Sequence, residues 1–316
     1  MKKAATIGAV ILIILFCGTT GYAFYVYHSV HNAIKKESND PLKNQRFNKD
    51  LGKNLQEDKP VSFLLLGGDE RQSDSGRTDT MVVVTVNPKQ KSMKMLSIPR
   101  DTLTAIPGHK QDKINAAYAY GGVELSVKTV ERMLKIPIDY YIKLNMDGFK
   151  DLIDAIGGVT VSNDLPFSFG GYHFKKGMVN LNTGDKALAF IRMRKQDPNG
   201  DFGREERQRK VIAAVAKKEI NLSGLKNLPN ILGALGSNVK TNLTLNDLEM
   251  IIKDNKSVSK NIQTLHLKGE EKIINGVWYY DIPNDELNSV SDELRSHLDL
   301  PERDNQDGNQ KNPQGC

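Results

Sequence analysis

Disulfide chemistry has no foothold in this chain. Its 316 residues hold two cysteines, Cys17 inside an apolar run and Cys316 at the last position, and these are not placed to pair. The six histidines are scattered, with no HxxxH or CxxC spacing, so no zinc-site pattern is present. There is no Walker A sequence and no GxSxG elbow, which removes the two commonest sequence marks of nucleotide hydrolysis and serine acyl transfer. The formal net charge of +6 is modest and does not announce a nucleic-acid binder; no helix-turn-helix pattern accompanies it. Hydrophobic residues make up 39% and charged residues 26%, enough apolar content for a domain that relies on its core alone.

What is present begins with topology. Lys2 and Lys3 precede an uncharged apolar run from Ala4 to about Tyr27, long enough to cross a hydrocarbon core of ~30 Å as a helix. Cations before the span place the N-terminus in the cytoplasm, and Tyr22, Phe24, Tyr25 and Tyr27 crowd its far end as an interfacial belt. Residues 1–28 are therefore expected to be a cytoplasmic start and retained transmembrane signal anchor, and the polar stretch 29–60 an extracytoplasmic stalk. The domain is expected over 61–300, with a loose polar tail at 301–316.

Within 61–300, strands are expected at Val61–Leu66, Thr80–Val86, Ser92–Ile98, Ile138–Leu144 and Ile262–Leu267. Helices are expected at Val123–Leu134, Asp147–Ile156, Asp185–Arg192, Gly203–Ile220 and Leu245–Asn255. The strand Met81–Val86 is almost wholly apolar, so helices should cover both faces of its sheet. The expected fold class is α/β: an α/β/α sandwich with a mixed central sheet, preceded by one transmembrane helix.

Two of these strands can be put in register from sequence. Asn87-Pro88-Lys89-Gln90-Lys91 is a short turn-like link, and folding the chain there sets Asp79 opposite Arg100 at the open end of an antiparallel hairpin. If Val61–Leu66 lies antiparallel beside Thr80–Val86, Asp69 reaches that same end. Asp69, Arg71, Arg77, Asp79, Arg100 and Asp101 would then share one sheet edge, either as a solvated rim or as a site.

The segment from Phe190 to Gln208 favours a site. At about 100° per residue, Arg204, Gln208, Val211 and Val215 form one stripe of a helix, so Arg204 and Gln208 are expected to point inward while Arg209 is expected to point toward solvent. A buried arginine needs an anion, either a fixed carboxylate or a ligand. Asp201 and Gly203 open this helix, and a helix N-terminus also favours phosphate. Carboxylates with arginines suit a Mg²⁺-bridged phosphate, with the metal on carboxylate and phosphate oxygens and guanidinium groups on the remainder.

At these residues a resemblance becomes specific. Phe63-Leu64-Leu65-Leu66-Gly67-Gly68-Asp69-Glu70-Arg71, Gly76-Arg77-Thr78-Asp79-Thr80, Ser97-Ile98-Pro99-Arg100-Asp101 and Lys113-Ile114-Asn115-Ala116-Ala117-Tyr118 follow in order. Ala189-Phe190-Ile191-Arg192-Met193-Arg194 and Gly203-Arg204-Glu205-Glu206-Arg207-Gln208 complete the set. In this order and spacing the chain, over about Val61–Ile220, resembles the LytR-CpsA-Psr family of Gram-positive cell-wall enzymes.

The resemblance implies a phosphotransferase that moves an anionic glycopolymer, wall teichoic acid in the usual case, from an undecaprenyl-pyrophosphate carrier to the C6 hydroxyl of N-acetylmuramic acid in peptidoglycan. It implies Mg²⁺ on Asp69 and Asp79. It further implies that Arg71, Arg100, Arg192, Arg194, Arg204 and Gln208 bind the pyrophosphate and head group, with Asp79, Arg100 and Arg204 closest to the chemistry. The general base stays open, Asp101 or another site Asp. The same residues would equally serve a polyprenyl-pyrophosphate hydrolase, and a membrane-bound regulator is the reading from another class. A slot for the polyprenyl tail among the surrounding apolar elements is also expected.

The topology has a direct test. A reporter active only outside the cytoplasm, fused after Leu300, should be active; a cytoplasm-only reporter active there would overturn the exported reading.

Overall fold

The structure, a computed structural model, describes residues 58–68, 76, 78–219, 222–254 and 258–302. The expected membrane span at 1–28, nearly all of the stalk and nearly all of the tail lie outside the described residues. Among the described residues no helix is long and apolar enough to cross a membrane.

The chain opens with strands β1 (Val61–Gly68), β2 (Thr78–Asn87) and β3 (Ser92–Ser97), then a short pair, β4 (Leu103–Ala105) and β5 (Gln111–Lys113). Helix α1 (Ala116–Leu134), strand β6 (Tyr140–Leu144) and helix α2 (Met146–Ala155) follow. Next come four short strands, β7 (Val159–Asn163), β8 (Phe167–Phe169), β9 (Tyr172–Phe174) and β10 (Gly177–Leu181). Helices α3 (Gly184–Arg192), α4 (Gly200–Glu219) and α5 (Leu222–Leu235) lead to β11 (Val239–Thr241), α6 (Leu245–Asp254) and β12 (Ile262–Leu265). A hairpin of β13 (Glu270–Ile274) and β14 (Val277–Asp281) and the helix α7 (Asn284–His297) end the described chain.

Six strands form one mixed sheet in the order β11-β6-β1-β2-β3-β12; β6 runs parallel to β1 and β12 parallel to β3, and the other pairs are antiparallel. Alternation along β2 explains its apolar run. Met81 and Val83 face α1 and α7, packing with Val127, Val130, Leu134, Val290 and Leu294. Val82, Val84 and Val86 face the other way, in a core that Ile212 and Ala213 of α4 and Leu248 and Ile251 of α6 pack against. The mixed sheet with helices on both faces is thus as expected. A further core, around Phe167, Phe174, Phe190 and Val211, joins α2, α3, α4 and α5 to the β7–β10 pair.

Expected and observed elements differ where periodicity is weak. Helix α1 contains the expected helix Val123–Leu134 but starts earlier, at Ala116, with a further short helical stretch joined to it across a kink at Gly121-Gly122, where Gly122 takes φ 61°. Helix α7 escaped notice since two of the four residues it buries, Ser291 and His297, are polar.

That histidine is a structural clamp. His297 is 1% exposed, its Nδ1 2.7 Å from the Thr85 hydroxyl and its Nε2 2.9 Å from the Ser92 hydroxyl, so it ties α7 to β2 and β3. Burial, with the charge of Lys94, pulls its pKa down to about 4. The folded state therefore holds a neutral imidazole, while the unfolded chain takes up a proton below about 6.5. Stability contributed by this residue is present above that pH and is lost as pH falls toward 4. The gap in Tm between the wild type and His297→Asn should narrow between pH 7 and pH 4; a constant gap would contradict the neutral clamp.

Candidate active site

Register brings the first site residues together. β2 pairs with β3 so that Val82 faces Ser97, and continuing that register sets Asp79 opposite Arg100. Their side chains meet, Arg100 Nη1 to Asp79 Oδ1, at 2.5 Å. The other edge of β2 pairs Gly68 with Thr78, so the chain entering Asp69 runs beside Asp79. Asp69, Arg71 and Arg77 themselves lie outside the described residues.

Helix α4 supplies the counterpart. Its first turn carries Asp201, whose Oδ2 lies 3.0 Å from Arg204 Nη2 and 3.3 Å from Arg100 Nε, and whose Oδ1 lies 3.3 Å from Arg194 Nε. One carboxylate thus sits under three guanidinium groups. Arg204 also donates to the Asp79 carbonyl at 3.3 Å. Asp101 completes the cluster, 3.5 Å from Arg100 Nε and 2.7 Å from Lys113 Nζ. Burial pulls the Arg100 guanidinium down, but its hydrogen bond to Asp79 and the charges of Asp201, Asp79 and Asp101 outweigh that and hold its pKa above the usual value. Arg204 is held below it: burial dominates, Asp201 opposes, and Arg100 pushes further down.

The expected inward stripe is present, with Arg204, Gln208 and Val211 all buried. Arg209 is not where the helix phase put it: it is 6% exposed rather than solvent-facing. The reason is the chain after β12, which lays His266 and Leu267 over that side of the helix. They help line a cavity of about 200 Å³ that includes Ser97, Glu205 and Arg209. Glu205 lies 4.0 Å from Arg209, yet burial pushes its pKa up to about 7, with Arg209 opposing. Glu205 can therefore exchange a proton near neutrality.

Arg207, quoted in the sequence motif but given no role there, fastens the site. It donates from Nε to the Phe190 carbonyl at 3.2 Å and also bonds the Met193 carbonyl and the Asp197 carboxylate. Both side chains of the Arg207–Asp197 pair are 6% exposed. A Cβ on Gly203 would stand 2.1 Å from Asp197 Oδ2, so only glycine lets this pair close beneath the helix start. The pair holds the segment that carries Arg194. Arg192, at the end of α3, is exposed and has no contact with the cluster among the described residues.

Several buried polar atoms here have no hydrogen-bond partner: Arg100 Nε, Asp201 Oδ1, Arg204 Nε and Gln208 Oε1. Buried polar atoms left this way, the Arg204 donor above all, mark a place where a polar ligand completes the bonding. The guanidinium groups suit a phosphate or pyrophosphate. For Mg²⁺, no group of three or more His, Cys, Asp or Glu converges among the described residues. The donor set still fits an ion shared with phosphate oxygens, which asks for one or two carboxylates: the Asp79 side chain is 42% exposed and open to such an ion.

Known proteins resemble this chain over most of its length. The LytR_cpsA_psr family model matches residues 23–296. The chain is 50% identical over 292 residues to the polyisoprenyl-teichoic acid--peptidoglycan teichoic acid transferase TagU of Bacillus cereus, covering 92% of this chain and 96% of that one. A solved structure from Enterococcus faecalis, described as a transcriptional regulator, is 39% identical with a TM-score of 0.72, covering 79% of this chain and 92% of that one. TagT bound to LIIa-WTA is 35% identical with a TM-score of 0.69, covering 82% and 98%.

Two arginines one turn apart should separate binding from folding. Arg204→Ala should weaken binding of inorganic pyrophosphate by roughly 10²-fold, the scale of deleting one preorganised donor, with little change in Tm. Arg207→Ala abandons a buried carboxylate and should cost about 3–5 kcal/mol of stability. Calorimetric titration beside thermal unfolding checks both; an Arg204→Ala protein that is folded and binds normally would sink the assignment.

Proposed function

The chain belongs to the LytR-CpsA-Psr family, and from that premise we propose that it transfers a glycopolymer from a polyprenyl-pyrophosphate carrier to peptidoglycan, with wall teichoic acid as the polymer. It is an enzyme, a transferase of the type its curated relatives are named for. The observation that carries the chemistry is the convergence of Arg100, Arg194 and Arg204 on Asp201, with the buried Nε of Arg204 still unpartnered. A pyrophosphate presents the oxygen that donor lacks.

In the reaction we propose, the C6 hydroxyl of N-acetylmuramic acid attacks the phosphorus that bears the polymer. A new O–P bond forms, the P–O bond to the polyprenyl phosphate breaks, and the leaving phosphate carries away the electron pair. Arg100 and Arg204 hold the equatorial oxygens, where charge accumulates, in a site that needs no reorganisation. Arg194, more exposed, meets the head group, and Gln208 offers its amide one turn beyond Arg204. Glu205 lines the same cavity as Arg100 and Arg194 and can take the proton of the attacking hydroxyl. Asp79 and Asp69 would hold Mg²⁺, which when bound neutralises pyrophosphate charge. The N-terminal span would keep the domain at the outer membrane surface, where both substrates are found. One solved relative is described as a transcriptional regulator, but the curated relatives named as transferases support the enzymatic role.

Asp79→Asn removes a hard anionic ligand and the partner of Arg100, and should cripple transfer. A chelator should reproduce the loss in the wild type, and added Mg²⁺ should rescue the wild type alone. Product analysis on purified protein with a lipid-pyrophosphate-linked glycan and peptidoglycan oligomers is the measurement. Full transfer in chelator would rule out the metal, and release of free polymer phosphate without glycan coupling would mean a hydrolase.

A further inference from the structure

The β13–β14 hairpin lies beyond every motif of the sequence, yet it forms one wall of the arginine cavity. Tyr280 of β14 donates its backbone N–H to the Asp101 carbonyl at 3.0 Å and bridges Thr102, so the hairpin is tied to the strand end that carries Arg100. In the hairpin register Glu271 faces Tyr280 and Ile273 faces Trp278. Alternation then puts Trp278, Tyr280 and Glu271 on one face. All three line a cavity of about 460 Å³ together with Arg100, Asp101 and Arg194, within the range of small-ligand sites.

Trp278 remains 37% exposed and Tyr280 meets Phe202, itself 45% exposed, edge-on at 5.2 Å. Around these rings the cavity wall is charged. Lys113 stands 5.7 Å over the Trp278 ring and is paired with Asp101, while Glu271 sits on the rim. A hydrocarbon tail would leave those charges unsolvated. A pyranose ring fits both features: its C–H face meets the negative face of an aromatic ring, and its hydroxyls meet carboxylates and ammonium.

We propose that the β13–β14 hairpin is a saccharide subsite, in which Trp278 stacks on a hexose ring and Glu271 and Lys113 bind its hydroxyls beside the phosphate-binding arginines. This rests on the glycopolymer-transfer reading and names the surface that holds a sugar for it. The ring belongs either to the peptidoglycan acceptor or to the lipid-linked donor, and the chemistry of recognition is the same.

Trp278 is the chain's only tryptophan, so its fluorescence reports this subsite alone. Full-length protein in detergent is titrated with soluble peptidoglycan glycan fragments, and separately with a short-chain polyprenyl-pyrophosphate disaccharide. A saturable change with the first identifies an acceptor ring, and with the second a donor ring; either supports the subsite. Trp278→Ala and, as a variant at an exposed rim position, Glu271→Gln should raise the KM for that saccharide by ~10-fold while binding of inorganic pyrophosphate stays unchanged. No fluorescence response to either saccharide in a protein that binds pyrophosphate and transfers polymer would overturn the subsite and leave the transferase reading standing. A saccharide response in a wild type that transfers nothing would overturn the transferase reading instead.

Discussion

Asp201 is the residue about which the site is arranged. Three arginines from three separate segments, the end of β3, the chain after α3 and the helix α4 itself, come within 3.0–3.3 Å of its two oxygens. A single carboxylate cannot neutralise three guanidinium groups, and the carboxylates of Asp79 and Asp101 pair with Arg100 alone among them. The unevenness is visible in the pKa directions, up for Arg100 and down for Arg204. Asp201 thus spaces the cations and prevents their repulsion from opening the site, while leaving a deficit of negative charge that an anionic substrate can fill.

Such a cluster persists only if its supports are stiffer than it is. The hairpin of β2 and β3 is one support, buried on both faces, so Asp79 and Arg100 are delivered by a rigid sheet edge. The other is α4, whose first turns bury Arg204, Arg207, Gln208 and Arg209 against three different segments. Arg204 and Gln208 face the cluster, Arg207 grips the chain after α3, and Arg209 lies under the segment leaving β12. A helix so rich in charge has no apolar stripe to bury in that half. It is held by directional bonds and buried pairs, which give little net stability when intact and cost much when one partner is lost.

The aromatic wall of the site is built from distant sequence. Asp101 and Lys113 come from around β4 and β5, Glu205 from α4, and Trp278 and Tyr280 from the far C-terminal hairpin. Their meeting depends on one backbone hydrogen bond, Tyr280 to Asp101, and the ring contact of Tyr280 with Phe202. Arginine donors and aromatic faces therefore share one opening, which suits a substrate that is both anionic and saccharide.

Much of this was legible in the sequence because its causes are local. The apolar run Met81–Val86, the turn at Asn87–Lys91 and the 3.6-residue spacing of Arg204, Gln208 and Val211 are each read over a few residues. They place the hairpin, the Asp79–Arg100 pair and the inward face of α4. Asp201 could have been found as the acidic residue three positions before Arg204, a spacing that lets the two side chains meet on one helix. What the sequence alone could not decide were the surroundings supplied by remote chain. Arg209 is buried where His266 and Leu267 line the same cavity, Glu205 is pushed up by burial among remote segments, and Trp278 joins the site through a strand pairing with no local signature. Helical phase and strand alternation determine which way a side chain points from its own backbone; only the tertiary structure determines whether water or another segment is waiting there.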